Sequence, residues 1–380
     1  MQPQLVTDPA ALRELAARLA RAPRIALDTE AASFHRYADR VYLVQVSSDQ
    51  ETALIDPLAL PDLSPLGDLL ASESVEVVFH DADYDLRVLD RDYGFRARRV
   101  FDTRISAQLL GEPAVGLAAL LEKHFGVVLD KKLQRADWST RPLTPEMIAY
   151  AAADTRYLTK LRDQMADQLT AAGRTAWAEE EFRHLEDVRW TASQTEDSWM
   201  RLKGAKVLPR RSQAVLRSLH QWREQTARAL DRAPFRVAQN EALLAIARAA
   251  PRDQRELLAV RGLPPSVGRR YGAQLLAAVE MGLDDPLDTL PVPTRGSRAR
   301  PDAAEEARFE RLKALRNQRA AELGLEPGVL CPNGGLQAVA RVASATAADL
   351  EGIVDLRRWQ IAALGPAAML QVVAERAAAQ

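Results

Sequence analysis

RIALDTE, residues 24–30, opens as an apolar run and closes on two acids, Asp28 and Glu30. In an extended chain, positions i and i+2 share a face, so these two carboxylates project together. Two such charges side by side resist joint ionisation unless a cation lies between them. Outward from this stretch the chain alternates strand-like and helix-like patterns. Residues 41–47 (VYLVQVS) have period two, and 52–56 (TALID) and 75–80 (VEVVFH) are short runs that predict further strands. Helical patterns cover 9–20, 63–70, 83–90, 104–110 and 117–124. Thr144-Pro145-Glu146 supplies the cap and first turn of another helix. The first two strands are joined too closely for a helical crossover, which predicts a mixed sheet in an α/β domain over 1–190.

Beyond about residue 190 the strand signals stop and the helical sequence repeats itself. LHQWREQTARAL from Leu219 and LKALRNQRAAEL from Leu312 are offset by 93 positions. The same offset pairs Pro234 with Pro327, Asn240 with Asn333 and Leu257 with Leu350. So many matches at one spacing predict a duplicated module, read here as helical domains at 205–283 and 304–380. Between them, 284–303 (DDPLDTLPVPTRGSRARPDA) has the Pro, Gly, Ser and charge of a linker.

A chain of 380 residues, 47% hydrophobic and 27% charged, suits a globular protein of two or three domains. No run approaches the ~18–20 apolar residues that a membrane span requires. The N-terminal MQPQLVTDPA lacks the basic start and apolar run of a secretion signal. A single cysteine, Cys331, excludes an intrachain disulfide framework and a cysteine-rich zinc site. A cytoplasmic enzyme is expected. The formal net charge of −1 conceals an asymmetry: residues 200–270 hold 16 Lys+Arg against 5 Asp+Glu, so the remainder is acidic. Such a division suits one part that grips phosphates and another that holds cations.

Two further elements carry chemistry. Tyr150-Ala-Ala-Ala-Asp154 sets a phenol and a carboxylate one helical turn apart on a single face. FHDADYDL, residues 79–86, offers Asp81, Asp83 and Asp85 as candidate ligands, with His80 at the strand end as a candidate substrate contact. The Gly-x4-Gly-Lys-Ser/Thr signature of a nucleotide-driven motor is absent.

The order of IALDTE, LIDPL, FH…DL, FDT (101–103) and DW…RPLT…YAAADTRYL (137–158) resembles the tyrosine-bearing branch of the DEDD exonucleases, narrowing to the ribonuclease D family. The two repeats resemble HRDC domains. This resemblance implies a ribonuclease H-like mixed-sheet exonuclease domain followed by two all-α HRDC-like domains, acting as a 3′→5′ exoribonuclease. It implies that Asp28, Glu30, Asp85 and Asp154 hold two divalent cations, Mg²⁺ or Mn²⁺. Asp85 is preferred to Asp81 and Asp83 because the family pattern is Asp followed by Leu, as in Asp85-Leu86. Tyr150 would orient or help deprotonate the attacking water. Gln45 and Trp138 lie in family-like segments and join His80 as candidate RNA contacts. Where the family often carries an aromatic after Asp-x-Glu, this chain has Ala31-Ala32, leaving Phe34 or Tyr37 as a stacking surface. The implied partner is RNA, with tRNA precursors as the natural class, handled by a monomer. A DNA exonuclease of the same fold and a non-catalytic RNA-binding scaffold are the alternatives.

Overall fold

The computed structural model describes residues 2–130, 132–192, 197–291, 302–342, 346–354 and 356–374. Six strands form one sheet: Gln4–Val6 (β1), Arg24–Ala31 (β2), Val41–Ser47 (β3), Thr52–Ile55 (β4), Glu76–Phe79 (β5) and Val100–Asp102 (β6). Their order is β1-β4-β3-β2-β5-β6. The β2/β3 and β3/β4 pairs are antiparallel, while β1/β4, β2/β5 and β5/β6 are parallel, which is the mixed sheet expected. β1 and β6 escape a reading by periodicity because three residues show no period; pairing with β4 and β5 makes them strands.

One sheet face packs on helices Pro9–Leu19, Ser64–Leu70 and Asp83–Tyr93 through a core that includes Leu12, Leu15, Leu66 and Val88. The other face is covered by helix Pro145–Arg156, which lies across β2, β3 and β4. Thr144 caps that helix by accepting from the Met147 N–H, as its sequence requires. Helices Leu158–Ala171 and Thr175–Glu186 complete this part of the chain.

The duplication is visible in atoms. Arg223, 5% exposed, reaches the Ala238 carbonyl and the Asn240 Oδ1; Arg316, 6% exposed, reaches the Cys331 carbonyl and the Asn333 Oδ1. A buried guanidinium is tolerated only when its donors are satisfied, so each repeat keeps the same acceptors. Helices Pro234–Val237 and Pro327–Leu330 also correspond. Where the first repeat has one helix, Pro265–Asp284, with a non-helical Tyr271, the second breaks it into Arg358–Leu364 and Pro366–Ala374. Of the expected linker, 292–301 lies outside the described residues. Its first part is a fastened turn, because Arg210 donates to the carbonyls of Leu287, Leu290 and Pro291. Some of the basic excess in 200–270 is therefore internal fastening: Arg211 and Arg217 bind the end of the same long helix, and Arg223 is buried.

The two helical units meet the first 190 residues differently. The second shares a hydrophobic core with them, and Trp359 stacks on Trp177 at 4.9 Å between centroids. Glu180 accepts from the free N–H groups of Arg358 and Trp359 at a helix start, while Glu181 takes the Trp359 indole N–H. Gly111, at φ +75°, lies so close that a Cβ there would stand 2.1 Å from the Gly324 oxygen. The first unit makes a smaller contact, through polar and aromatic groups of residues 34–37. Replacing Trp359 by Ala is expected to lower unfolding free energy by about 3–5 kcal/mol, the range for truncating a buried tryptophan. Urea denaturation checks this, and a loss under about 1 kcal/mol would contradict the shared core.

Candidate active site

Asp28 and Glu30 stand on the face of β2 that helix Pro145–Arg156 covers, and Asp154 comes from that helix. One carboxylate oxygen from each of Asp28, Glu30 and Asp154 lies within 4.8 Å of the other two. The helix is held in register by the Thr155 hydroxyl, which shares a hydrogen bond of 2.7 Å with Ser47 on β3. The loop before it is fixed by Arg141, bidentate to the buried Asp56 at 2.6 and 2.8 Å and also bonded to the Tyr42 carbonyl. The segments LIDPL and RPLT thus meet as one joint.

Asp85 arrives from the other side. β2 pairs with β5 only over Arg24–Ala26, so the acids protrude beyond the end of β5. The chain turns after β5 and helix Asp83–Tyr93 begins, which brings Asp85 to the overhang. The Thr29 hydroxyl donates to Asp85 Oδ1. Asp102 supports this turn by accepting from the N–H groups of Ala82, Arg104 and Ile105. The rival acids are otherwise engaged: Asp81 pairs with Arg104 and Asp83 with Arg87, both exposed. Neither Thr29 nor Asp102 was a candidate from sequence. The FDT segment was a signal for Asp102 as the cap of the helix that follows, but its bond to the Ala82 N–H, which supports the turn, is non-local.

Burial and mutual repulsion set the electrostatics. Two carboxylate charges at 4.8 Å repel by roughly 3–4 kcal/mol at an effective dielectric near 20, more than one hydrogen bond returns. Burial, then Asp154, push the Asp28 carboxyl up to about 8, and burial pushes Asp154 up to about 7. Glu30 and Asp85 are also raised well above the usual carboxylate range, by burial first and neighbouring acids second. Burial, then Asp154, Glu30 and Asp28, raise the Tyr150 phenol, so in the metal-free protein it keeps its proton. A site of oxygen donors that cannot comfortably ionise together fits a hard divalent cation.

The other candidates lie around this centre. Trp138, 1% exposed, packs against the Tyr150 ring at 5.9 Å and belongs to the core beneath it. Gln45 is fully buried opposite Asp28, and neither atom of its amide has a partner. Both are interior positions rather than presented surfaces. The His80 Nδ1 lies 2.9 Å from the Thr103 hydroxyl, which itself donates to the Phe79 carbonyl, so Nδ1 is the donor. Burial, then Arg104, push His80 down to about 4, and the ring is neutral. A cavity of about 600 Å³ is lined by Gln108, Glu112, Val329 and Trp359, between the first 190 residues and the second helical unit; Asp28, Glu30, Asp85 and Asp154 do not line it.

Residues 3–170 match the model of a 3′-5′ exonuclease domain, and residues 212–279 and 305–373 each match the HRDC domain. Ribonuclease D of Zymomonas mobilis is 37% identical over 283 residues, covering 73% of this chain and 72% of that protein. Ribonuclease D of Nitrobacter hamburgensis is 32% identical over 368 residues, covering 96% and 94%. The chain belongs to the ribonuclease D family. Among solved structures, Escherichia coli RNase D superposes with a TM-score of 0.73 at 30% identity, covering 98% of this chain and 99% of that one. Membership makes the chain a 3′→5′ exoribonuclease on the DEDD exonuclease fold, with an acidic cluster suited to divalent metal. No helix among the described residues is long and apolar enough to cross a membrane.

The raised acids give a pH signature. Unfolded, Asp28 and Asp154 titrate near ~3.9; folded and metal-free, they titrate near 8 and 7. Above pH ~4 the native state binds more protons than the unfolded one, so stability falls as pH rises toward about 8. In EDTA the melting temperature is expected to fall between pH 5 and pH 8. Asp28→Asn should flatten that fall and melt higher than the parent at pH 8, and Mn²⁺ should raise the parent's midpoint. An Asp28→Asn protein that melts lower at pH 8 would contradict the electrostatic reading.

Proposed function

We propose that Asp28, Glu30, Asp85 and Asp154 hold two divalent cations, Mg²⁺ or Mn²⁺, and that the chain releases nucleoside monophosphates from RNA 3′ ends by hydrolysing the terminal phosphodiester bond. The observation that carries this is the trio of carboxylate oxygens within 4.8 Å, on half-buried residues whose charges only partly form without a cation. When bound, the cations supply Lewis-acid stabilisation of the charge added at phosphorus and acidify a water.

The chain's own residues supply the rest. Asp28 and Glu30 offer oxygens from one strand face, Asp154 from the covering helix, and Asp85 from the adjoining helix start, oriented by Thr29. Tyr150, backed by Trp138, presents a protonated phenol that orients the attacking water by hydrogen bonding. As water adds to the terminal phosphate, the bond from phosphorus to the preceding 3′-oxygen breaks, and the monophosphate leaves. Residues 1–190 carry this chemistry, and the HRDC domains at 205–283 and 304–380 hold the body of the substrate. The E. coli relative is described as an exoribonuclease involved in structured RNA processing. By that likeness the natural substrates are structured RNAs with single-stranded 3′ extensions, tRNA precursors among them, handled by a cytoplasmic monomer.

Incubating the purified chain with 5′-labelled, 3′-extended tRNA and Mg²⁺ or Mn²⁺ should give a ladder that shortens one nucleotide at a time. Internal cleavage, or equal shortening in EDTA, would overturn the proposal; faster digestion of a matched DNA strand would overturn the RNA assignment. Asp28→Asn and Asp154→Asn are expected to cut turnover by about 10³-fold or more, since several kcal/mol of charge stabilisation is withdrawn. Tyr150→Phe should lose about 10²–10⁴-fold in rate while retaining Mn²⁺ affinity.

A further inference from the structure

Just past Glu30 the chain turns sharply, the N–H groups of His35 and Arg36 both donating to the Ala32 carbonyl. The turn lifts Phe34 to the surface, where it is 42% exposed. Phe235, from the first HRDC domain and 41% exposed, meets it at 4.9 Å between ring centroids and an interplanar angle of 53°. Two neighbouring phenyl rings left this open are poorly explained as a clasp between domains, since a clasp gains its energy by covering apolar surface.

The rings are framed by cations. The Arg236 guanidinium carbon lies 5.1 Å from the Phe34 centroid and 5.9 Å from that of Phe235, and Arg135 lies 5.7 Å from Phe34. Both arginines are exposed, and among the described residues neither is paired with a carboxylate. The frame is held by main chain: Arg236 Nε donates to the Phe34 carbonyl at 2.7 Å, and the Ala233 N–H to the His35 carbonyl at 3.2 Å. His35 Nε2 lies 2.9 Å from the Arg135 carbonyl, tying in the segment that also carries Trp138, the neighbour of Tyr150.

We propose that Phe34 and Phe235, framed by Arg135 and Arg236, form a composite stacking platform for bases of a single-stranded RNA segment whose 3′ end enters the acidic site. Half-exposed phenyl rings overlain by guanidinium groups that have no carboxylate partner offer a base a ring or a guanidinium plane to stack on and offer phosphates a cation, and stacking tolerates any sequence because every base has a π-face. The first HRDC domain then contributes a ring to the substrate path as well as charge. This inference rests on the reading of the acids as an RNA-cleaving site.

The test places 2-aminopurine at successive positions from the 3′ end of a single-stranded oligoribonucleotide and reads its fluorescence on binding in EDTA, where no cleavage occurs. Stacking should quench it at one or two adjacent positions. Phe34→Leu and Phe235→Leu keep apolar bulk but lose the π-face; each should relieve the quench and weaken binding about tenfold. Phe34→Trp and Phe235→Trp should retain both. Leu variants that quench and bind as well as the Trp variants, or no quenched position in the parent, would overturn the platform. Metal-dependent shortening of the same RNA by the parent protein is scored separately. Shortening without quenching defeats only the platform, whereas no shortening defeats the reading of the acids.

Discussion

Three carboxylate oxygens crowded within 4.8 Å on half-buried residues are the constraint around which this fold is arranged. Left alone, such a group takes up protons or pushes its members apart. The protein prevents separation by drawing the acids from elements that are each fixed elsewhere: a central strand, a helix bonded to that sheet through Thr155 and Ser47, and a helix start anchored by Asp102. Repulsion is thereby stored as raised pKa values rather than released as movement. A cation entering the site meets donors already in place, so little ordering has to accompany binding.

The same economy governs the helical domains. The second HRDC unit shares its core with the exonuclease domain through Trp359 and Trp177, and Glu180 closes the start of its helix. The first touches the loop after β2 with a small set of polar and aromatic contacts, close in sequence to Asp28 and Glu30. One unit behaves as part of the body, and the other is fastened to the loop that follows Glu30. The buried Arg-Asn arrangement repeated at Arg223 and Arg316 shows that the duplication preserves the module's interior. Its surfaces differ in charge and in what they touch.

Much of the site was legible because its geometry is local. The shared face of Asp28 and Glu30 follows from strand alternation, and that of Tyr150 and Asp154 from helical spacing, while their reading as site residues came from the family resemblance. Asp85 needed the family resemblance, since Asp81, Asp83 and Asp85 are equivalent until Arg104 and Arg87 claim the first two. What stayed hidden is non-local. Thr29 finds Asp85 across 56 positions, and Arg141 finds Asp56 across 85. Strands β1 and β6 exist only because a neighbour pairs with them. Charge counting was the bluntest guide, because it cannot tell Arg210, spent on the carbonyls of Leu287, Leu290 and Pro291, from the exposed Arg236.

The most direct test of the central claim is proton release on metal binding, measured by calorimetric Mn²⁺ titration at pH 7 in buffers of different ionisation enthalpy. With Asp28 titrating near 8 and Asp154 near 7 in the metal-free protein, binding should expel about one proton or more per protein. Heat independent of the buffer would mean that no proton leaves, and that the acids were already ionised without the cation.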